Sequence, residues 1–240
     1  MIEIGCVREI ARYPVKSMAG TVVDSAALGW HGLEGDRRFA FRRVEDRGGF
    51  PFLTASRLPE LLLYRPMDFD ESTGEPVPTR VRTPEGSIVP LRSQELRSEL
   101  SDRSGSGVEV MNLRSGIFDE GAVSVISLAT IAGIGREAGF DLDRRRFRAN
   151  IVLDTARTES FLEDEWVGGT LVFGESDAAP AVSVTLRDER CVMVNIDPDT
   201  GAKDARVMKA VVKLNKNYAG VYATVVRRGT IRSGDRVRLV

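Results

Sequence analysis

The chain has 240 residues and a formal charge of −1, with 42 % hydrophobic and 29 % charged residues. This is the make-up of a globular protein with a sizeable core in one large or two small domains, and it excludes a whole-molecule nucleic-acid field, so any anion recognition must come from local clusters. Two cysteines (Cys6 and Cys191) and one histidine (His31) are too few for a disulfide framework or for a metal cage made of protein ligands alone. The start of the chain lacks the basic and apolar segments of a secretory signal, and no run approaches the roughly 20 apolar residues of a membrane helix. The cytoplasm is the expected location, with neither membrane nor nucleic acid as partner.

The first 92 residues read as β structure. Ile2–Tyr13 alternates and is rich in β-branched residues, and Thr21–Leu28 and Asp36–Val44 are further strands between glycine turns. Leu61–Arg65, Arg80–Thr83 and Ile88–Leu91 read as short strands. Asp70–Thr79, with Thr73-Gly74 and two prolines, reads as a loop. Ser93–Gly107 predicts a short helix and a flexible joint, which places a domain boundary near residue 100. A second half, 101–240, opens with a strand at Val108–Leu113. Ser127–Ala138 has helical spacing with Gly139 as its stop. Asn150–Asp154, Thr170–Phe173 and Thr185–Ile196 read as strands, Ala205–Leu214 as a helix, and Tyr218–Val226 and Arg236–Val240 as closing strands. Many short strands and few helices predict β-barrel-like cores.

Four local constellations carry chemistry. Tyr13-Pro14-Val15-Lys16-Ser17 ends the first strand in a turn that offers an ammonium and a hydroxyl to an anionic ligand, although a solvated surface turn reads the same way. In Gly35-Asp36-Arg37-Arg38, strand alternation sends the two arginines apart, one toward a pocket and the other to water, with Asp36 able to steady its neighbour; a charged edge strand is the plain alternative. Arg144 to Arg148, followed by Ala149-Asn150, is the densest basic run. Guanidinium groups bind phosphate through paired hydrogen bonds and Asn150 can address a heterocycle, whereas 7 % aromatic content argues against RNA. Cys191, between Arg190 and the Asp197-Pro198-Asp199-Thr200-Gly201 turn, is open to three readings: an inert small apolar residue, a thiol nucleophile, or a single thiolate on a metal that brings its own organic ligand. Asp197 and Asp199 read first as turn formers, and Trp30 and Trp166 as packing residues.

Five segments in order, YPVKSMAG at 13–20, GLEGDRRF at 32–39, RRFRANIVLD at 145–154, RCVMVNIDPDTG at 190–201 and GVYATVVRRGTIRSGDRV at 220–237, resemble the MOSC family over nearly the whole chain. The resemblance implies a mostly β protein with a few helices: a small N-terminal β-barrel-like domain (1–100) packed on a C-terminal MOSC barrel (101–240). It also implies molybdenum cofactor, a molybdopterin complex, in the cleft. Cys191 matches the molybdenum ligand; Lys16, Ser17 and Arg37 match residues that hold the pterin and its phosphate; Arg148 and Asn150 match an Arg-Pro-Asn motif, with Ala149 in place of the proline. Ser127 matches a serine before a helix that contacts the phosphate, where a helix N-terminus suits an anion. Arg190 and Asp197 flank the metal ligand.

Functional relatives within the family, the mitochondrial amidoxime-reducing component and bacterial N-hydroxylated-base reductases, imply two-electron reduction of a small N-oxygenated substrate. An iron–sulfur domain needs four cysteines, so electrons are expected from a separate ferredoxin-, flavodoxin- or cytochrome-type protein. The rival is a non-redox sulfur or cofactor carrier holding a persulfide on Cys191.

Overall fold

The computed structural model describes residues 2–72, 74–113, 115–116 and 120–240. Its strands are β1 (Ile2–Arg12), β2 (Thr21–Val23), β3 (Ser25–Gly29), β4 (Gly32–Leu33), β5 (Phe39–Arg43), β6 (Arg65–Asp70), β7 (Val77–Arg82), β8 (Ile88–Pro90), β9 (Val108–Asn112), β10 (Val123–Ser127), β11 (Ile151–Thr155), β12 (Thr170–Phe173), β13 (Ala181–Glu189), β14 (Tyr218–Arg227), β15 (Gly229–Arg232) and β16 (Arg236–Leu239). The helices are α1 (Gln94–Ser104), α2 (Leu128–Ala138) and α3 (Arg206–Asn215). No helix among the described residues is long and apolar enough to cross a membrane.

Seven strands close into a barrel in the order β1-β11-β10-β14-β13-β12-β16 and back to β1, antiparallel except for β10 and β11. Closure leaves no unpaired edge in that ring. Inward positions such as Val7, Ile10, Val125, Leu153, Val184 and Val221 fill it as one apolar cluster. A second core gathers Phe39, Phe41, Tyr64, Val81, Leu96 and Leu100 around β5–β9, β6-β7-β8 and α1. A third lies under α2 and α3, with Ile131, Ile134, Val207 and Val211 against Ile126 and Phe147.

The architecture is the expected mostly β one, but the strands do not pair along a division at residue 100. β1 completes the barrel built by residues beyond 120, through registers such as Val7↔Leu153 and Ile2↔Leu239. β9, expected to open the second half, pairs instead with β5. A barrel of short strands needs a seventh member to close, and β1 supplies it because its residues are apolar toward that interior.

Several expected elements shift. Thr21–Leu28 splits at Asp24 into β2 and β3. Pro59 starts a 3-10 turn over Pro59–Leu63 where a strand was expected, since a fixed φ and a missing N–H suit a helical first position. The loop predicted at Asp70–Thr79 covers only the turns between β6 and β7, because Asp70 already pairs with Val77 and Phe69 with Pro78; Thr73 lies outside the described residues. Thr185–Ile196 ends as a strand at Glu189 and continues through a 3-10 turn, Val192–Asn195. α1 and α2 follow their signals, with Ser93 and Ser127 as N-caps and left-handed Gly105 and Gly139 at their ends. Trp166 is buried as expected, whereas Trp30 is 58 % exposed beneath the guanidinium of Arg228.

Candidate functional site, a cationic cleft with one thiol

Backbone hydrogen bonds bring the first two basic motifs together. The turn after β1 docks on the turn before β5: Lys16 N–H donates to Phe39 O at 2.8 Å, Phe39 N–H to Pro14 O at 3.0 Å and Arg37 N–H to Tyr13 O at 2.9 Å. Asp36 is fully buried, accepts the Tyr13 N–H at 2.6 Å and pairs with the Arg37 guanidinium. Arg37 and Arg38 do part, but from a turn and not a strand, and neither goes to bulk water. Arg38 is 2 % exposed, bonded from Nε to Glu75 at 2.7 Å and from Nη1 to the Asp36 carbonyl at 2.9 Å; the carboxylates of Glu75 and Glu34 keep it inside.

The third motif reaches the same place from the barrel. Arg144–Phe147 forms a 3-10 turn, and Arg148 leaves it in the left-handed region. Arg148 Nη1 donates to Met18 O at 2.6 Å, while the Arg148 carbonyl accepts from Arg37 Nη2 at 3.1 Å. Asn150 is fully buried, with Oδ1 accepting from Arg37 Nη1 at 3.0 Å and from Ser124 N–H at 3.1 Å and Nδ2 donating to Ala11 O at 3.2 Å. The ring of Tyr13 lies 5.5 Å from the Arg37 guanidinium and 4.3 Å from that of Arg148. Burial pushes its phenol up to about 12 against the pull of those arginines, so it stays a neutral platform for two cations. Ser17, Arg37 and Arg148 all have positive φ (65°, 48° and 51°), a cost of about 1 kcal/mol or more each that the surrounding hydrogen bonds hold in place.

The fourth motif completes the cleft. β13 stops where Arg190 N–H turns to Asn217 O, and Cys191 emerges exposed and unbridged. Arg190 is buried, donating from Nε to Ala219 O and from Nη1 to Phe147 O, each at 2.7 Å. Its Nη2 lies 2.9 Å from Asp188 Oδ2 as an ion pair. Lys16, Ser17, Arg37, Arg148, Arg190 and Cys191 all line one cavity of about 370 Å³, within the range of small-molecule sites. Among the described residues its wall carries Lys16, Arg37, Arg146, Arg148 and Arg190 against Glu120, Asp188 and Glu189, a cationic excess. The loop at 47–54 contributes Phe50 and Thr54, and Lys16 Nζ sits 5.0 Å from the centre of the Phe50 ring.

Three expected residues do not line the cavity: Asn150, fully buried, reaches it only through its bond to Arg37, and Ser127 and Asp197 stand elsewhere. Ser127 is fully buried and does not line the cavity. Its hydroxyl caps α2 by accepting from Thr130 N–H at 3.1 Å, and its own N–H donates to Glu163 Oε1 at 2.7 Å. Glu163 also accepts from Thr130 Oγ1 at 2.8 Å. The anion at this helix N-terminus is therefore the chain's own carboxylate. Ser127→Ala is expected to lower stability by ~1–2 kcal/mol through the lost cap and to leave anion binding in the cleft unchanged, measured by urea denaturation alongside phosphate titration.

Asp197 is also outside the cavity wall. It forms the turn, accepting from Asp199 N–H and Thr200 N–H at 3.0 Å each, and its Oδ2 accepts from Arg146 at 2.8 Å. Some burial works against it, but those N–H donors and Arg146 hold its carboxyl below the usual range. Its part is to position Arg146, which does line the cleft. Arg144 and Arg145 point away, to Glu9 and to Asp143 and Asp199.

Asp188 is the residue that sequence reading missed. It lines the cavity, is 1 % exposed and accepts from Ser124 Oγ at 3.0 Å. Burial raises its carboxyl to about 6, against the attraction of Arg190 and the Ser124 bond. Strand alternation, which puts residues 188 and 190 on one face, was the available signal. A raised carboxyl binds more protons folded than unfolded between its ordinary value near 4 and about 6, so its contribution to stability is present below pH 4 and lost as pH rises through 6. Relative to Asp188→Asn, wild-type stability is expected to fall by up to ~3 kcal/mol between pH 4 and 7, as read from urea midpoints across that range.

The residues fit a metal that arrives with an organic, phosphorylated ligand. Among the described residues no group of three or more His, Cys, Asp or Glu could hold a metal ion, so the thiol can be one ligand only. The cationic wall suits an anionic, oxygen-rich ligand.

Residues 112–238 match the MOSC domain and residues 4–121 the MOSC N-terminal beta barrel domain. Among solved structures, the YuaD protein from Bacillus subtilis is similar at 13 % identity, covering 98 % of this chain and 95 % of that one, with a TM-score of 0.52. YiiM from Geobacillus stearothermophilus shares 21 % identity over 50 % of this chain and 54 % of that one, with a TM-score of 0.36. YiiM from Escherichia coli shares 18 % over the same proportions, also at 0.36. The likeness to YuaD is one of fold. A comparison with curated protein sequences finds no match.

Proposed function

Since the chain belongs to the MOSC family, whose domain binds molybdenum cofactor in some members, we propose that this protein holds that cofactor in the cleft and reduces N-hydroxylated compounds to the corresponding amines or amidines. The observation that carries the reading is the placement of one exposed thiol, Cys191, on the same cavity wall as Lys16, Arg37, Arg148 and Arg190. When bound, the cofactor supplies the two-electron redox chemistry.

The chain's own residues do the rest. Cys191 Sγ offers the single protein ligand. Lys16, Ser17 and Arg148 present donors to the phosphate and pterin, and Arg37, bridging Asp36, Asn150 and the Arg148 carbonyl, fixes the two halves of the wall. Arg190 is locked by two backbone carbonyls and by Asp188. Cleaving an N–O bond to amine and water takes up two protons with two electrons, and Asp188, with its carboxyl near 6, holds a proton at the wall under mildly acidic conditions.

The test is elemental analysis with a visible spectrum of protein freshly purified from a cofactor-producing host, followed by reduction of a benzamidoxime with an artificial electron donor. Near-stoichiometric molybdenum and turnover are expected. Molybdenum-free protein carrying cyanide-labile sulfur on Cys191 would overturn the reading in favour of a sulfur carrier.

A further inference from the structure

We propose that the outer face of α3, with the turn that follows Cys191, is the docking surface for an acidic electron-transfer protein. The proposal rests on the reductase reading and names the partner that reading needs.

Charge is concentrated here. In a chain of net charge −1, residues 203–216 carry Lys203, Arg206, Lys209, Lys213 and Lys216 against the single acid Asp204. All five cations are exposed. Arg206, Lys209, Lys213 and Lys216 recur at three- and four-residue spacing, which stacks them in one stripe along the helix, while Val207, Ala210 and Val211 are buried on its other side. Arg206 is engaged by Asp204 and Lys213 by Glu137. Lys203, Lys209 and Lys216 make no ion pair among the described residues. Beside the stripe lies a shallow depression of about 380 Å³ bounded by Asn195, Ala205, Met208, Lys209, Val212 and Lys213. Val212 is 51 % exposed there, and Val192, next to the thiol, 56 %. An apolar centre with a cationic rim suits a transient redox encounter, in which opposite charge steers and orients the partner over a small contact.

The surface is also wired to the site. Cys191 opens the 3-10 turn Val192–Asn195. Asn195 closes it onto the helix, its Oδ1 accepting the Met208 N–H and its carbonyl the Asp204 N–H, each at 2.8 Å. A short covalent and hydrogen-bonded route, Cys191 through Asn195, therefore joins the depression to the thiol. Nucleic acid fits less well: residues 203–216 contain no aromatic residue to stack on bases, and Phe140 beside the stripe is already covered by the Arg206 guanidinium, 4.8 Å from its ring centre.

The test uses the full chain with an acidic plant-type ferredoxin and an acidic flavodoxin as probes, and binding is measured between about 20 and 300 mM salt. Wild-type protein is expected to bind at least one probe, more weakly as salt rises. K203E/K209E/K216E, which breaks no ion pair, is expected to lose roughly tenfold or more in affinity and most of the salt dependence, with molybdenum content and artificial-donor turnover unchanged. Reversing Arg157 and Arg232 elsewhere on the surface should leave binding unaltered. Absence of binding to either probe, equal binding by the triple variant, or displacement of the probe by duplex DNA at equal concentration overturns the proposal. Binding is read on metal-free protein as well, so absence of molybdenum defeats the reductase reading alone, and absence of binding with intact artificial-donor turnover defeats the docking surface alone.

Discussion

Cys191→Ala should empty the protein of molybdenum and reduce N-hydroxylated-substrate turnover by more than about 100-fold, while leaving the fold intact. The magnitude follows from the ligand count. The described residues present no group of three or more metal-ligating side chains, so in the proposed reading the Cys191 sulfur is the protein's ligand to the metal, and losing even a supporting partner of a ligand costs 10–100-fold in affinity or activity. The thiol is exposed and caps nothing, so its replacement stays within about 0.5 kcal/mol of wild-type stability. Metal analysis, artificial-donor turnover and a thermal melt on the same preparation separate the two effects. A variant that keeps both metal and turnover sinks the cofactor assignment.

Asn150→Ala should have the opposite signature in part, harming the fold as much as the site. Its amide bonds three separate segments: the end of β1 through Ala11 O, β10 through Ser124 N–H and the Arg37 guanidinium. Truncation leaves a buried N–H and a buried C=O without partners and loosens a guanidinium that bridges the two halves of the cleft. Each orphaned neutral group costs ~1–3 kcal/mol, so a loss of ~3 kcal/mol is expected. For a chain of this length that lowers the melting temperature by roughly 6–12 °C. Because Arg37 also holds the Arg148 carbonyl, phosphate binding in the cleft should weaken with it. Asn150→Asp keeps an acceptor for Ser124 N–H and Arg37 but sets a second oxygen against Ala11 O in a fully buried place, so it should not restore wild-type stability. Equal stability of wild type and Asn150→Ala would show that these bonds carry no net weight.

Local sequence signals located the turns and helix ends well where one or two residues set the backbone. Pro14 and the residues after it marked the Lys16–Ser17 corner, and Ser127 and Gly139 marked the two ends of α2. The same signals failed where the partner came from far along the chain. Ser127 reads as an anion site until Glu163 is seen occupying the helix terminus. Asp197 reads as a neighbour of the metal ligand until Arg146 claims its carboxylate. Asp188 and Ser124 are ordinary strand residues by sequence, and only the pairing of β13 with β14 and β14 with β10 brings them together beneath Arg190.

By itself the sequence determined the mostly β character, the four polar corners and the scarcity of cysteine and histidine, because turn chemistry, strand periodicity and residue counts are local properties. Tertiary structure decided which corners share a cavity, that β1 seals a barrel assembled from the other end of the chain, and which arginines face the cleft and which are spent on carboxylates. Those outcomes depend on long-range strand closure and on the cost of burying an unpaired charge, and neither is written at any one position.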